Sequence, residues 1–188
     1  MTSLKLHMVL LGSTLPGRNT EQHDIFFGIG ETIYSLFPTM MRFWPEAKNK
    51  LHIDAWREVT VVGDHEITVI EKNAGDKMDH EERLFFINLG GYRNEEFEEF
   101  HYKILTVATS KAEAISISKK SAFFKHAGFK GAESHIDDKF GVDVDDIFQI
   151  PEILSVEEKL KYTLQLTQGY NVTPDTLHLG YLKMNHIK

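Results

Sequence analysis

The sequence predicts an α+β protein built from two tandem ββαββ repeats, related by a pseudo-twofold axis, with helices packed on a mixed β-sheet. The chain repeats itself, each copy opens with β-prone apolar runs, and a segment with helical spacing follows in each. The residues that recur without a gap are Leu11, Gly12, Glu21 and His23 in the first copy and Leu89, Gly90, Glu99 and His101 in the second. In addition, His52-Ile53-Asp54 recurs as His135-Ile136-Asp137.

In the first copy, the apolar run Leu4 to Leu11 predicts a strand that ends at Gly12. The second strand begins after Glu21 and His23. Apolar residues from Ile33 to Trp44 then recur three or four positions apart, which predicts a helix that Pro45 ends and Pro38 kinks. The third and fourth strands are predicted at 52–62 and 65–71.

In the second copy, the strand Leu84 to Leu89 ends at Gly90, and the next strand begins after Glu99 and His101. Ser110 is the predicted N-cap of a helix that Gly128 ends. Strands are predicted at 135–144 and 162–167, and a last strand at 177–184 is expected to join an edge of the sheet.

The repeats set the predicted domain boundaries. The first repeat spans residues 1–72, a polar linker spans 73–83, the second repeat spans 84–168, and a turn and strand complete the chain at 169–188.

Composition excludes several classes of function. The chain of 188 residues has no cysteine, which excludes disulfides, thiolate metal sites and cysteine nucleophiles and favours a cytoplasmic location. Its net charge is -7, and no segment concentrates lysine and arginine as a nucleic-acid surface would. No apolar run is long enough to cross a bilayer. We therefore expect neither a nucleic-acid partner nor a membrane partner.

The recurring polar residues form the candidate site. Side chains two apart on a strand share a face, so each Glu-x-His pair and each His-x-Asp pair projects together. If the second and third strands of a copy pair in parallel, both pairs lie at one edge of the sheet. The candidate ligand-binding residues are Glu21, His23, His52 and Asp54 in the first copy and Glu99, His101, His135 and Asp137 in the second.

Three interpretations of these pairs stay open: structural hydrogen bonding, contact with a ligand or substrate, and binding of a divalent metal, for which His23, His52 and Asp54 would be the ligands. No other cofactor is indicated. Asp143, Asp145 and Asp146 alternate like calcium ligands, but the glycine and closing glutamate of an EF-hand are missing, which favours a solvated loop.

The pattern in the first copy resembles a known family. Leu11-Gly12, the Glu-x-His-Asp run at 21–24, Trp44-Pro45 and the His-x-Asp pair at 52–54 resemble the bacterial family called domain of unknown function 1543, in which one or two copies of the unit occur per chain. The second copy has Tyr102 where the first has Asp24, and no Trp-Pro precedes His135. The resemblance implies the repeat but no reaction.

The leading hypothesis is a non-catalytic cytoplasmic protein that binds a small molecule or a protein partner. The alternative is a metal-dependent hydrolase or oxygenase that uses Glu21, His23, His52 and Asp54. A third hypothesis is a structural subunit of a homo-oligomer, whose sheet edges pair with another copy.

Overall fold

The computed structural model describes residues 3–72, 81–92, 95–127, 142–169 and 172–184. The strands are β1 (Lys5–Ser13), β2 (Gln22–Gly30), β3 (His52–Val59), β4 (Val61–Val62), β5 (His65–Glu71), β6 (Arg83–Tyr92), β7 (Glu99–Ala108), β8 (Val142–Gln149), β9 (Tyr162–Gln168) and β10 (His178–Lys183). The helices are α1 (Phe37–Phe43), α2 (Lys111–Ala127), α3 (Ile150–Ile153) and α4 (Val156–Lys161), with 3-10 segments at Ile33–Leu36 and Pro45–Lys50.

The chain divides into two compact units, which we call the first and second units. The first unit consists of Met1–Asp76 and Leu154–Lys188, and the second of Lys77–Ile153. The first unit holds a four-stranded sheet in the order β10-β3-β1-β2 and a three-stranded sheet in the order β4-β5-β9; the second holds a sheet in the order β7-β6-β8. The α+β class predicted from the sequence is confirmed.

The strand pairing differs from the predicted mixed sheet, because every pairing among the described strands is antiparallel. The second and third strands of each copy do not pair directly. β2 and β3 flank β1, and β7 and β8 flank β6. Two strands that are each antiparallel to a common neighbour run in the same direction, so their starting ends still lie at one edge.

The predicted boundaries also require correction at the end of the second repeat. β9 falls within residues 84–168, which the sequence assigns to the second repeat. It pairs instead with β5 of the first unit, from Glu71↔Tyr162 to His65↔Gln168. The second unit therefore reads β-β-α-β followed by the short helix α3, and it has no fourth strand among its described residues. As predicted, the last strand joins a sheet edge, since β10 pairs with β3 alone.

The first 3-10 segment and α2 begin at residues whose side chains cap them. Thr32 Oγ1 accepts from the Ser35 backbone N–H at 3.3 Å and caps the first 3-10 segment. Pro38 lies in the first turn of α1, where its missing N–H costs nothing, so the predicted kink becomes a 3-10 to α junction. Ser110 Oγ accepts from the Glu113 N–H at 3.2 Å, as expected of an N-cap for α2.

Each unit has its own apolar core. In the first unit it consists of Val9, Leu11, Phe26, Ile33, Leu36, Phe37, Met40, Ala47, Leu51, Ile53 and Met184. In the second it consists of Phe85, Ile87, Leu89, Ile104, Ala108 and Ala114. Both tryptophans of the chain, Trp44 and Trp56, pack against the core of the first unit. No helix within the described ranges combines the length and the apolar character that crossing a membrane requires.

Two buried or half-buried carboxylates tie the later segment of the first unit to the earlier one. Glu158 accepts from the Ile29 N–H at 2.6 Å and from the Ser155 N–H at 2.9 Å. Asp175 accepts from the backbone N–H groups of Thr60, at 3.1 Å, and Val61, at 3.2 Å. These contacts hold the segment after residue 154 against the strands of the first half.

Candidate functional site

The candidate site of the first unit lies where β1 ends between β2 and β3. Gly12 is in register with His23 on β2 and with His52 on β3. Residues in register on neighbouring strands share a face, so both imidazoles project from the same side of the sheet. Glu21 precedes β2, and Asp54 follows His52 by two residues.

The four side chains converge. His52 Nε2 lies 3.0 Å from Glu21 Oε1 and 3.5 Å from Asp54 Oδ1. His23 Nε2 lies 3.1 Å from Asp54 Oδ2 and 3.7 Å from Glu21 Oε2. We call these four residues the first cluster. Two imidazoles thus alternate with two carboxylates around a shared space, as we predicted from the positions of the pairs on their strands.

Burial differs strongly within the first cluster. The His52 side chain is 7% exposed, whereas those of Glu21 and His23 are 40% and 41% exposed. His52 Nδ1 lies 3.0 Å from the Lys50 carbonyl oxygen. Because a carbonyl only accepts hydrogen bonds, Nδ1 carries a hydrogen, and in the neutral ring the lone pair is on Nε2. That lone pair faces the two carboxylates.

Two features of the backbone make room for the cluster. The register between β1 and β3 shifts between Leu10 and Leu11, which leaves Asp54 as an extra residue on β3. Such a bulge redirects a side chain. A Cβ atom on Gly12 would lie 2.5 Å from His52 Nε2 and closer still to Asp54 Oδ2, so only glycine leaves these atoms where they are. Asp54 Oδ2 is buried and makes no hydrogen bond of acceptable geometry, although His23 Nε2 lies 3.1 Å away.

The last strand contributes a residue that our sequence analysis missed. The ring of Tyr181 on β10 lies 4.6 Å from the His52 ring, centroid to centroid, with an angle of 39° between the planes. Tyr181 is separated from His52 by more than a hundred residues and has no counterpart in the second copy. The sequence pattern around Tyr181 does not mark it as a site residue, because the exposed strand β10 shows no alternation of buried and exposed positions.

A related cluster occupies the same place in the second unit. Gly90 is in register with His101 on β7 and with Asp143 on β8. His101 Nε2 lies 3.4 Å from Asp145 Oδ2 and 3.9 Å from Glu99 Oε2. We call Glu99, His101 and Asp145 the second cluster. Its three side chains are 33% to 39% exposed.

The second cluster differs from our prediction at its third strand. His135 and Asp137, which we predicted as its histidine–acid pair, lie outside the described residues. The register instead aligns Asp143 with His52, and the bulge between Asn88 and Leu89 aligns Asp145 with Asp54. The solvated loop that we predicted around Asp145 is therefore strand β8. The match is visible in the sequence when residues are compared by polarity and not by identity, because His52-Ile53-Asp54 and Asp143-Val144-Asp145 both alternate polar, apolar and polar residues.

The fold and the clusters define an α+β protein in which two of the three antiparallel sheets formed by the described strands carry acidic and histidine side chains around the end of a central strand. Residues 18–69 match the model of a family described as "Domain of Unknown Function (DUF1543)". Over these residues, which include all four members of the first cluster, the match confirms the family resemblance predicted from the sequence.

A solved structure has the same fold along almost the whole chain. The crystal structure of a protein Il1583 from Idiomarina loihiensis is 21% identical, with a TM-score of 0.65, and the alignment covers 97% of this chain and 99% of that one. No curated protein matches the sequence.

Proposed function

We propose that the first unit binds a divalent transition-metal ion, with His52, Glu21 and Asp54 as ligands and His23 beside them. The observation that carries the proposal is the direction of the buried His52 ring. Its Nδ1 donates to the Lys50 carbonyl, so its Nε2 faces Glu21 Oε1 at 3.0 Å. Metal-binding histidines typically donate their second N–H to a backbone carbonyl in this way.

A cation would suit this arrangement. A neutral His52 would direct its lone pair at two carboxylates, and acceptors that face one another repel. Structural pairing would need a hydrogen on Nε2 to relieve this repulsion. The buried Asp54 Oδ2 would then have only His23 Nε2, 3.1 Å away, as a nearby donor, and it makes no hydrogen bond of acceptable geometry. A divalent ion among these atoms would interact favourably with the imidazole and with both carboxylates.

The donor atoms indicate the class of metal. One or two imidazole nitrogens with carboxylate oxygens suit Zn²⁺, Fe²⁺ or Mn²⁺ better than Ca²⁺, which prefers oxygen ligands alone. The ligand atoms of Glu21, His52 and Asp54 lie within 4.8 Å of one another, a spacing that small movements convert to coordination.

The exposed side of the first cluster gives the proposal its functional meaning. Glu21 and His23 are about two-fifths exposed, so a bound ion would keep a coordination position open to water or to a small anionic ligand. This agrees with a small-ligand-binding protein. A metal-dependent hydrolase or oxygenase would use the same position. We propose binding, and no reaction.

The test is metal binding by protein purified without an affinity tag and stripped of metal. Zn²⁺ and Mn²⁺ are titrated calorimetrically into a His101→Ala background, which disables the second cluster. We expect one ion per chain, and a loss of affinity of at least about 10-fold in His52→Ala. His178→Ala, which removes a histidine of the same unit outside the cluster, is the matched control and should bind as the parent does. Absence of binding by the parent, or equal binding by His52→Ala, would contradict the proposal.

A further inference from the structure

The C-terminal strand covers the most buried ligand of the first cluster. The Tyr181 ring lies 4.6 Å from the His52 ring. His52 is 5% exposed as a whole residue, although it is the first residue of β3. Tyr181 itself is 62% exposed. Tyr181 thus lies between His52 and solvent on this side.

The backbone of β10 is shaped to bring Tyr181 there. Leu179 pairs with Ala55 and Leu182 with Ile53, so three steps on β10 span two steps on β3. The extra residue forms a bulge at Gly180, whose φ of +125° is strained for any residue with a side chain. The bulge redirects Tyr181 toward the His52 ring.

The second unit provides the contrast. Its sheet ends at β8 among the described residues, so no strand there flanks β8 as β10 flanks β3. The three side chains that the clusters share are exposed to similar degrees, 26% to 41% in the first cluster and 33% to 39% in the second. The difference between the units therefore lies at the His52 position, where β8 has Asp143 and where β10 adds Tyr181 to the first unit.

We propose that Tyr181 is a positioning residue of the first cluster. It restricts rotation of the His52 ring, so that Nε2 stays directed at Glu21 and Asp54, and it limits the access of solvent and solutes to that nitrogen. The role of Tyr181 toward His52 applies to the metal-free protein. Its effect on ion exchange rests on the proposed metal binding.

The first arm of the test uses the metal-free protein and needs no ligand. Diethylpyrocarbonate acylates accessible imidazole nitrogens, and peptide mass spectrometry reports the rate at each histidine. We expect His52 to react several-fold faster in Tyr181→Ala than in the wild type, while Tyr181→Phe, which keeps the ring, reacts as the wild type does. Leu179→Ala removes an exposed side chain of the same strand and is the matched control. Equal His52 rates in Tyr181→Ala and wild type would overturn the proposal.

Gly180→Ala provides an independent variant, because it perturbs the bulge and leaves the tyrosine in the sequence. It should accelerate His52 modification as Tyr181→Ala does. An unchanged rate would show that the bulge does not hold the ring and would contradict the argument. Far-UV circular dichroism checks that each variant keeps the native fold, which the exposure of both positions favours.

The second arm measures release of Zn²⁺ to a coloured chelator. We expect Tyr181→Ala to release the ion about 10-fold faster, the effect typical of lost support around a ligand, with no change in Tyr181→Phe or Leu179→Ala. If the wild type binds no Zn²⁺ but Tyr181→Ala accelerates His52 modification, the metal proposal fails and the positioning role stands. If Zn²⁺ binds but neither rate changes, the positioning role fails alone.

Discussion

The two units place the same kinds of side chain around the same backbone, yet they produce different local environments. In each, a glycine lies near the end of the central strand, a Glu-x-His pair lies at the start of one neighbour, and a bulge directs an aspartate from the other. The first unit adds His52, which is buried and packs against Tyr181. The second has Asp143 at that position. The other acidic and histidine side chains are exposed to similar degrees in the two clusters, 26% to 41% in the first and 33% to 39% in the second. Strand pairing therefore brings the polar groups together in both units, and the added strand β10 bears on His52 alone.

The largest expected effect concerns the hydrogen bond by which Glu158 attaches the later segment of the first unit to β2. Glu158→Ala removes a buried carboxylate that accepts from the Ile29 N–H, and we expect the free energy of unfolding to fall by about 2 to 3 kcal/mol. Tryptophan fluorescence during urea denaturation reports this unit alone, since Trp44 and Trp56 both belong to it. The exposed neighbour Glu157→Ala should change stability by less than about 0.5 kcal/mol. Equal effects of the two substitutions would contradict the role of Glu158.

Gly12 and Gly90, near the ends of the two central strands, should cost different amounts of stability when each is replaced by alanine. In Gly12→Ala the new Cβ meets the buried His52 ring, which has little room to move, and we expect a loss of about 2 kcal/mol, as for other overpacked sites. In Gly90→Ala the Cβ meets the carboxylate ends of Glu99 and Asp145 at 2.8 Å. Those exposed groups can turn outward, so the loss should stay below about 1 kcal/mol. Urea denaturation monitored by circular dichroism measures both, and equal losses would remove the distinction between the clusters.

Removal of the histidine itself should also separate the units. His52→Ala removes one of the two histidines beside Asp54 and the side-chain partner of the Lys50 carbonyl, and we expect a loss of about 1 to 2 kcal/mol in the metal-free protein. His101→Ala removes an exposed imidazole and should cost less than about 0.5 kcal/mol. A gain in stability in His52→Ala would instead indicate that the cluster is held at a cost to folding, as binding sites often are.

The smallest effect is confined to acid pH. His7 on β1 is fully buried, and desolvation lowers the pKa of its imidazole from the ordinary value of 6.5. The unfolded chain therefore binds a proton that the folded chain resists, and the first unit loses stability as the pH falls below 6.5. His7→Leu should weaken this dependence when fluorescence-detected urea midpoints at neutral and acid pH are compared. An unchanged pH dependence in the variant would contradict it. In the second unit, by contrast, the His101 side chain is 38% exposed.

Local sequence rules were sufficient to predict that the four residues of the first cluster lie close together. Glu21 and His23 lie on either side of the first residue of β2, and His52 and Asp54 lie within the first three residues of β3, so alternation and chain direction predicted their convergence. The prediction of direct parallel pairing was wrong. The four side chains still converge, because β2 and β3 lie on either side of β1 and run in the same direction.

The parts that could not be predicted depend on pairing between distant segments. β9 has the composition of a strand of either unit, and only its pairing with β5 assigns it to the first. Asp145 aligns with Asp54 through a bulge, which shifts register by one residue and defeats a count of sequence spacing. Tyr181 reaches His52 through a second bulge at Gly180.

The return of the chain to the first unit after residue 153 has a consequence for biosynthesis. A ribosome delivers all of the second unit before it delivers β9, Glu158 or β10. The second unit is continuous in sequence and can fold as soon as it emerges, whereas β5 must wait with an unpaired edge for a partner about a hundred residues later. We therefore expect the first unit to reach its native state after the second, because Tyr181 and its strand are synthesised after all of the second unit.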